Sequence, residues 1–147
     1  MLVYVDSSVL ARAYLPGEEG HAEAAALLAG TDHLLVTATW TIVEVTSTLV
    51  RATRVGRRGD IDALLAVLAA DTGKDGTVTL LRADTEQVEL RALQIVREHA
   101  LQSLDAMHLA VATLAAVPLL DPGDSLGLAS RDKAQRQAGI ALGFVEV

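Results

Sequence analysis

Short apolar runs of strand-forming residues recur along this chain of 147 residues, and a helical pattern follows each of them except the last. Leu2 to Val5 stops at Asp6-Ser7-Ser8, after which Val9, Leu10 and Ala13 start a helical periodicity. Pro16 and Gly17 interrupt it, residues 18–29 resume it with acids in the first turn, and Gly30 ends it. A second strand is expected at Leu34 to Thr37, with Thr39 capping a helix that runs to Arg54. Gly56 and Gly59 punctuate before Asp60 opens another helix through Ala70. After a turn over residues 73–76, Val78 to Leu81 reads as a third strand, and Asp84 or Thr85 starts a long helix to Ala100. Ser103 is expected to cap the next helix, which carries Asp105, His108, Leu109 and Ala112 on one face and ends before Pro118. Beyond a loop at residues 121–124, Leu126 to Ala129 forms a fourth strand, Ser130 caps a short helix and Phe144 to Val147 forms the last strand.

Strands joined through helices pair in parallel, and a parallel sheet needs both faces covered. The predicted fold class is therefore α/β, a three-layer α/β/α sandwich with a mainly parallel central sheet, formed as one domain over residues 1–147. Aromatic residues make up only 3% of a chain that is 51% apolar, so its core must be built of Ala, Leu and Val with helices packed closely on the sheet. In such sheets, sites form at the carboxyl ends of the strands, and Asp6 and Asp132 both follow strands.

Four acids stand out. Asp6 follows a buried strand, Glu44 sits within Trp40-Thr41-Ile42-Val43-Glu44-Val45, Asp105 opens a helix, and Asp132 comes two residues after Ser130. Each also has a bland explanation: helix capping for Asp6, Asp105 and Asp132, and an exposed position or an ion pair with Arg for Glu44. Taken together they point to a shared cation, because two unit charges about 5 Å apart repel by roughly 3 kcal/mol at an effective dielectric near 20. The chain has no cysteine, so a metal must be held by oxygen or imidazole, which favours hard cations. Mg²⁺ and Mn²⁺ prefer oxygen ligands, and a water among them can attack a phosphodiester.

The formal charge of −7 speaks against a nucleic-acid partner until its distribution is considered. Divalent ions would offset the clustered acids, and Arg51, Arg54, Arg57 and Arg58 concentrate positive charge in one short stretch that either tracks a phosphate backbone or is simply solvated. Acidic surface remains for a basic protein partner. Residues 1–5 run into Asp6 and Arg12 without a leader pattern. The longest nearly apolar segment, Leu109 to Leu120, is shorter than the roughly 20 residues of a membrane helix, so a cytoplasmic location with no membrane is expected.

At this point the chain resembles the PIN-domain nucleases, and within them the VapC-like toxins of toxin-antitoxin pairs. Val3-Tyr4-Val5-Asp6-Ser7-Ser8-Val9-Leu10 is similar to the family's opening strand with its first acid, and Thr41-Ile42-Val43-Glu44-Val45 to the segment bearing its helical glutamate. Leu104-Asp105-Ala106-Met107-His108-Leu109-Ala110 resembles its Asp-Ala-x-His-Leu-Ala segment, and Ser130-Arg131-Asp132 its Thr/Ser-x-Asp element. The resemblance implies a metal-dependent endoribonuclease in which Asp6, Glu44, Asp105 and Asp132 bind Mg²⁺ or Mn²⁺ and are catalytic. It also implies an RNA substrate, a homodimer and a cognate antitoxin that blocks the site.

Asp6 and Asp105 are then expected to be the main ligands, with Glu44 bridging or holding a water, and Asp132 completing a second position. Ser8 or Ser130 is assigned the orientation of a carboxylate or water. His108 reads as a satisfied core histidine, Arg131 and Arg136 as contacts to RNA or antitoxin, and Asp124 as a further acid ranked below Asp132. Two rivals remain: an aspartyl-phosphate phosphatase, against which Ser8 stands where a second Asp is needed, and a catalytically silent PIN-like module that binds antitoxin or RNA. Gly73-Lys74-Asp75 lacks the spacing of a phosphate loop.

Overall fold

The computed structural model describes residues 1–56 and 60–147. The predicted sandwich is present. Five strands, β1 (Leu2–Val5), β2 (Leu34–Ala38), β3 (Val78–Leu81), β4 (Gly127–Ala129) and β5 (Val145–Glu146), form one sheet in the order β3-β2-β1-β4-β5. Every pairing is parallel, with Val3 opposite Leu35 on one side and Gly127 on the other. Side chains alternate between two cores, as the pleat requires. Val3, Val5 and Leu35 face α1 (Ser7–Ala13), α2 (His21–Ala29), α3 (Thr41–Arg54) and α4 (Ile61–Asp71). Tyr4, Val36 and Leu128 face α5 (Thr85–His99), α6 (Ser103–Val111) and α7 (Lys133–Ala141). Among the described residues no single helix is long and apolar enough to cross a membrane.

The chain builds outward from β1 to β2 and β3, then returns to place β4 on the opposite side. The sheet order therefore reverses between β1 and β4, where the helices leave in opposite directions and open a crevice at the carboxyl edge. Gly127 permits the tight approach of β4. A Cβ there would lie 2.9 Å from Val3 Cγ2 and 2.8 Å from Val147 Cγ2.

Several predicted helix ends move. Trp40, not Thr39, is the N-cap of α3, and Gln102 precedes α6, so Ser103 is its first helical residue. Asp132, not Ser130, caps α7 by accepting from the Gln135 N–H at 2.7 Å. Pro118 does not stop α6 in advance. The helix widens into a π-type turn at Ala112–Ala116 and tightens into a 3-10 turn at Val117–Leu119, where proline at an early position forfeits no needed donor.

Candidate metal centre

Asp6 leaves the end of β1 at the switch point, and its main-chain N–H extends the β1–β4 ladder by donating to Ala129 O at 2.9 Å. Its carboxylate is 4% exposed yet well supplied with donors. Oδ2 caps α1 by accepting from Ser8 N at 3.0 Å, and Oδ1 faces Gln135 Nε2 at 3.3 Å. Glu44 lies in the first turn of α3 and Asp105 in the first turn of α6, so the two acids arrive from opposite helical layers. Asp132 stands exposed at the start of α7, its N–H donated to Ser130 Oγ at 3.0 Å.

The electrostatics of Asp105 tie the four together. Burial is the first cause that raises its carboxyl above the usual range; repulsion from Asp132 and then Asp6 adds to it, His108 opposes it and Glu44 raises it further. Carboxylates on separate surfaces would not press on one another in this way.

His108 is where the sequence reading was half complete. It is buried in the core as expected, but its ring also reaches the acids. Nε2 lies 2.7 Å from Glu44 Oε2 and 3.5 Å from Asp6 Oδ1, so facing two carboxylates it carries a proton and donates to Glu44. Nδ1 meets Tyr4 Oη at 2.8 Å. Burial, and then the charge of Asp6, push the Tyr4 hydroxyl well above its ordinary range, so it keeps its proton and donates to the ring. Trp40 leans on the imidazole with ring centroids 6.0 Å apart. The result is a Tyr4–His108–Glu44 chain crossing the sheet edge between the two helical layers.

Ser8 and Ser130 hold backbone. Ser8 Oγ accepts from Arg131 N at 3.0 Å, stapling the segment after β4 to α1, while Ser130 Oγ holds Asp132 N. Arg136 is engaged by Ser130 O at 2.9 Å and Glu146 at 2.8 Å. Arg12, Arg51 and Arg131, with Ser7, Ser47 and Glu44, line a groove of about 560 Å³ that takes in one of the four acids, Glu44. Arg54 is exposed at the end of α3, and Arg57 and Arg58 lie outside the described residues. Asp124 does not join the site. It lies at the opposite, amino edge of the sheet beside Met1, Leu2 and Leu34.

Among the described residues no three His, Asp or Glu side chains form a metal-holding cluster. The donor set nonetheless fits a hard cation. It is made of carboxylate oxygens, and Asp105 carries the repulsion that a positive charge would relieve. Mg²⁺ is held by one or two carboxylates with water completing the shell, so a closed protein cage is not required. Asp6 and Asp105 are the candidates that would hold such an ion.

Sequence reading missed Gln135, which is wholly buried against Asp6, and Tyr4, which reads as a plain core strand residue. The available signal for Gln135 was its place three residues after a helix-capping Asp.

A family model for the PIN domain matches residues 3–140. Among solved structures, the sarcin-ricin-loop-cleaving toxin VapC20 of Mycobacterium tuberculosis aligns over 99% of this chain and 98% of its own, at 22% identity and a TM-score of 0.68. VapBC-1 from nontypeable Haemophilus influenzae aligns over 100% of this chain and 97% of its own, at 12% identity and a TM-score of 0.58. No curated protein matches the chain.

Proposed function

This chain belongs to the PIN domain family, and from that membership we propose that it is a Mg²⁺- or Mn²⁺-dependent endoribonuclease, the toxin of a VapBC-like pair. The observation that carries the reading is the meeting of Glu44 and Asp6 on His108 Nε2, at 2.7 and 3.5 Å, at the switch point of the sheet, with Asp105 and Asp132 near enough to repel one another. A divalent ion held there would supply positive charge for the scissile phosphate and acidify the attacking water.

The chain's own residues do the rest. Asp6 is held in one orientation by Ser8 N and Gln135 Nε2, and Glu44 is held by His108. Asp132, exposed at the rim with Oδ1 held by the Gln135 N–H, would meet a second ion or a water through its other oxygen. Arg51 lines the groove where flanking phosphates would lie, and Arg12 and Arg131, paired with Glu18 and Glu19, would have to exchange those partners for phosphate. An antitoxin that covers this groove would block the site, and the active form is proposed to be a homodimer.

Because one structural neighbour is named for cleaving the sarcin-ricin loop, an RNA carrying that loop is the first substrate to try. Purified protein free of antitoxin should cut RNA with Mn²⁺ or Mg²⁺, and EDTA or Asp6→Ala should abolish cutting. RNA cleavage undiminished in a folded Asp6→Ala, Asp105→Ala double variant would sink the reading. Metal-insensitive RNA binding without cleavage would instead assign the chain to a silent module.

A further inference from the structure

Gln135 is 0% exposed, in a position where an apolar side chain would serve packing better. It is the third residue of α7, after the N-cap Asp132, and glutamine there ordinarily turns back to the N–H of the cap residue. Here that N–H is taken by Ser130 Oγ, and the Gln135 side chain turns into the site instead. Nε2 lies 3.3 Å from Asp6 Oδ1 and 3.4 Å from Asp105 O, one amide shared between two acceptors at long range. Its main-chain N–H meets Asp132 Oδ1 at 2.7 Å. The reverse amide orientation would set oxygen against both acceptors, so the donor assignment is fixed by its surroundings.

The remaining atom, Oε1, is buried and meets no protein donor among the described residues. A buried acceptor left so destabilises a fold, whereas leucine or methionine would fill a similar volume without that cost. Packing alone therefore does not explain glutamine here, but the contacts of Nε2 do. A lysine or arginine could also donate to Asp6, but its positive charge would compete with a cation for the carboxylate. An amide donates without charge, orienting Asp6 and leaving its negative charge available.

We propose that Gln135 is the positioning residue of the centre, tying Asp6 on the β1 edge to the first turn of α6 that carries Asp105 while its own N–H fixes Asp132. The proposal rests on the metal-dependent reading above. It is tested on full-length wild-type protein, Gln135→Leu, Gln135→Met and Asp6→Asn, by titration calorimetry with MnCl₂ in the absence of RNA and by thermal unfolding in EDTA. Both Gln135 variants should melt in EDTA at or above the wild-type temperature, while their Mn²⁺ dissociation constants rise by roughly 10- to 100-fold. Gln135 variants that bind Mn²⁺ like wild type while Asp6→Asn loses it would overturn the positioning role alone. Variants that melt lower in EDTA but keep wild-type affinity would make Gln135 a packing residue and overturn it equally. A wild-type protein that binds no Mn²⁺, or an Asp6→Asn variant that binds it unchanged, would remove the parent reading and this one with it.

Discussion

At the scale of single residues, the fold can hold a charge at a disadvantage. Asp105 shows this most directly, because burial and three neighbouring acids disfavour its ionised form. A folded-state carboxyl raised above its unfolded value means that the native state binds more protons in the window between the two, so stability falls as pH rises through that window. Asp105→Asn should therefore raise the melting temperature in EDTA at neutral pH, and the gain should shrink as pH falls through the ordinary carboxylate range. Equal melting temperatures at neutral pH would show that Asp105 is not under this pressure. Tyr4 carries a separate expectation. Tyr4→Phe leaves His108 Nδ1 buried without its donor, at a cost of about 1–3 kcal/mol by urea denaturation. Neither Tyr4 nor Gln135 was legible as a site residue, because period-2 burial and helix capping account for each until the tertiary contacts are known. The four acids were legible as candidates, since each interrupts apolar sequence at the end of a strand or the start of a helix.

At the scale of elements, the sequence located the described strands and α-helices but not the π and 3-10 turns, and it misplaced caps for a physical reason. Ser, Thr and Asp near a helix start compete for the same role, and backbone dihedrals decide between them. Thr37, not Thr39, is the hydroxyl that matters before α3, donating to Val5 O at 2.6 Å and meeting Thr41 Oγ1 at 2.8 Å to join β1, β2 and the helix start. Asp132 is the useful case, because one side chain is both the α7 cap and a candidate site acid. Asp132→Ser keeps a capping oxygen and removes the charge, whereas Asp132→Ala removes both. Alanine should cost about 1 kcal/mol of stability and serine only a fraction of that. Both should depress RNA cleavage to a similar extent. Serine with wild-type activity would reduce Asp132 to a cap. On α3, Thr41, Val45, Leu49 and Ala52 form the buried face that fixes the rotation of the helix and hence the position of Glu44. Leu49→Ala should cost about 2–5 kcal/mol in denaturant titrations.

At the scale of the whole molecule, strand order was the piece that the sequence withheld. The strand–helix alternation dictates a parallel sheet, but a core of Ala, Leu and Val carries little information about which side of β1 receives β4. The order β3-β2-β1-β4-β5 puts the reversal beside Asp6, and Glu44 and Asp105 descend on it from opposite layers. Helices on both faces thus bring acids near one point, where His108 already bridges Glu44 and Asp6, and a cation would add a further cross-link between the layers. A ligand that binds only the folded state stabilises it by about 2.7 kcal/mol at roughly 100 times its dissociation constant. Saturating Mn²⁺ should therefore raise the melting temperature of the wild-type protein by several degrees. Asp6→Asn should gain nothing from Mn²⁺, because a ligand carboxylate is lost. If Mn²⁺ shifts both proteins alike, the ion binds elsewhere and the convergence at the switch point is electrostatic crowding alone.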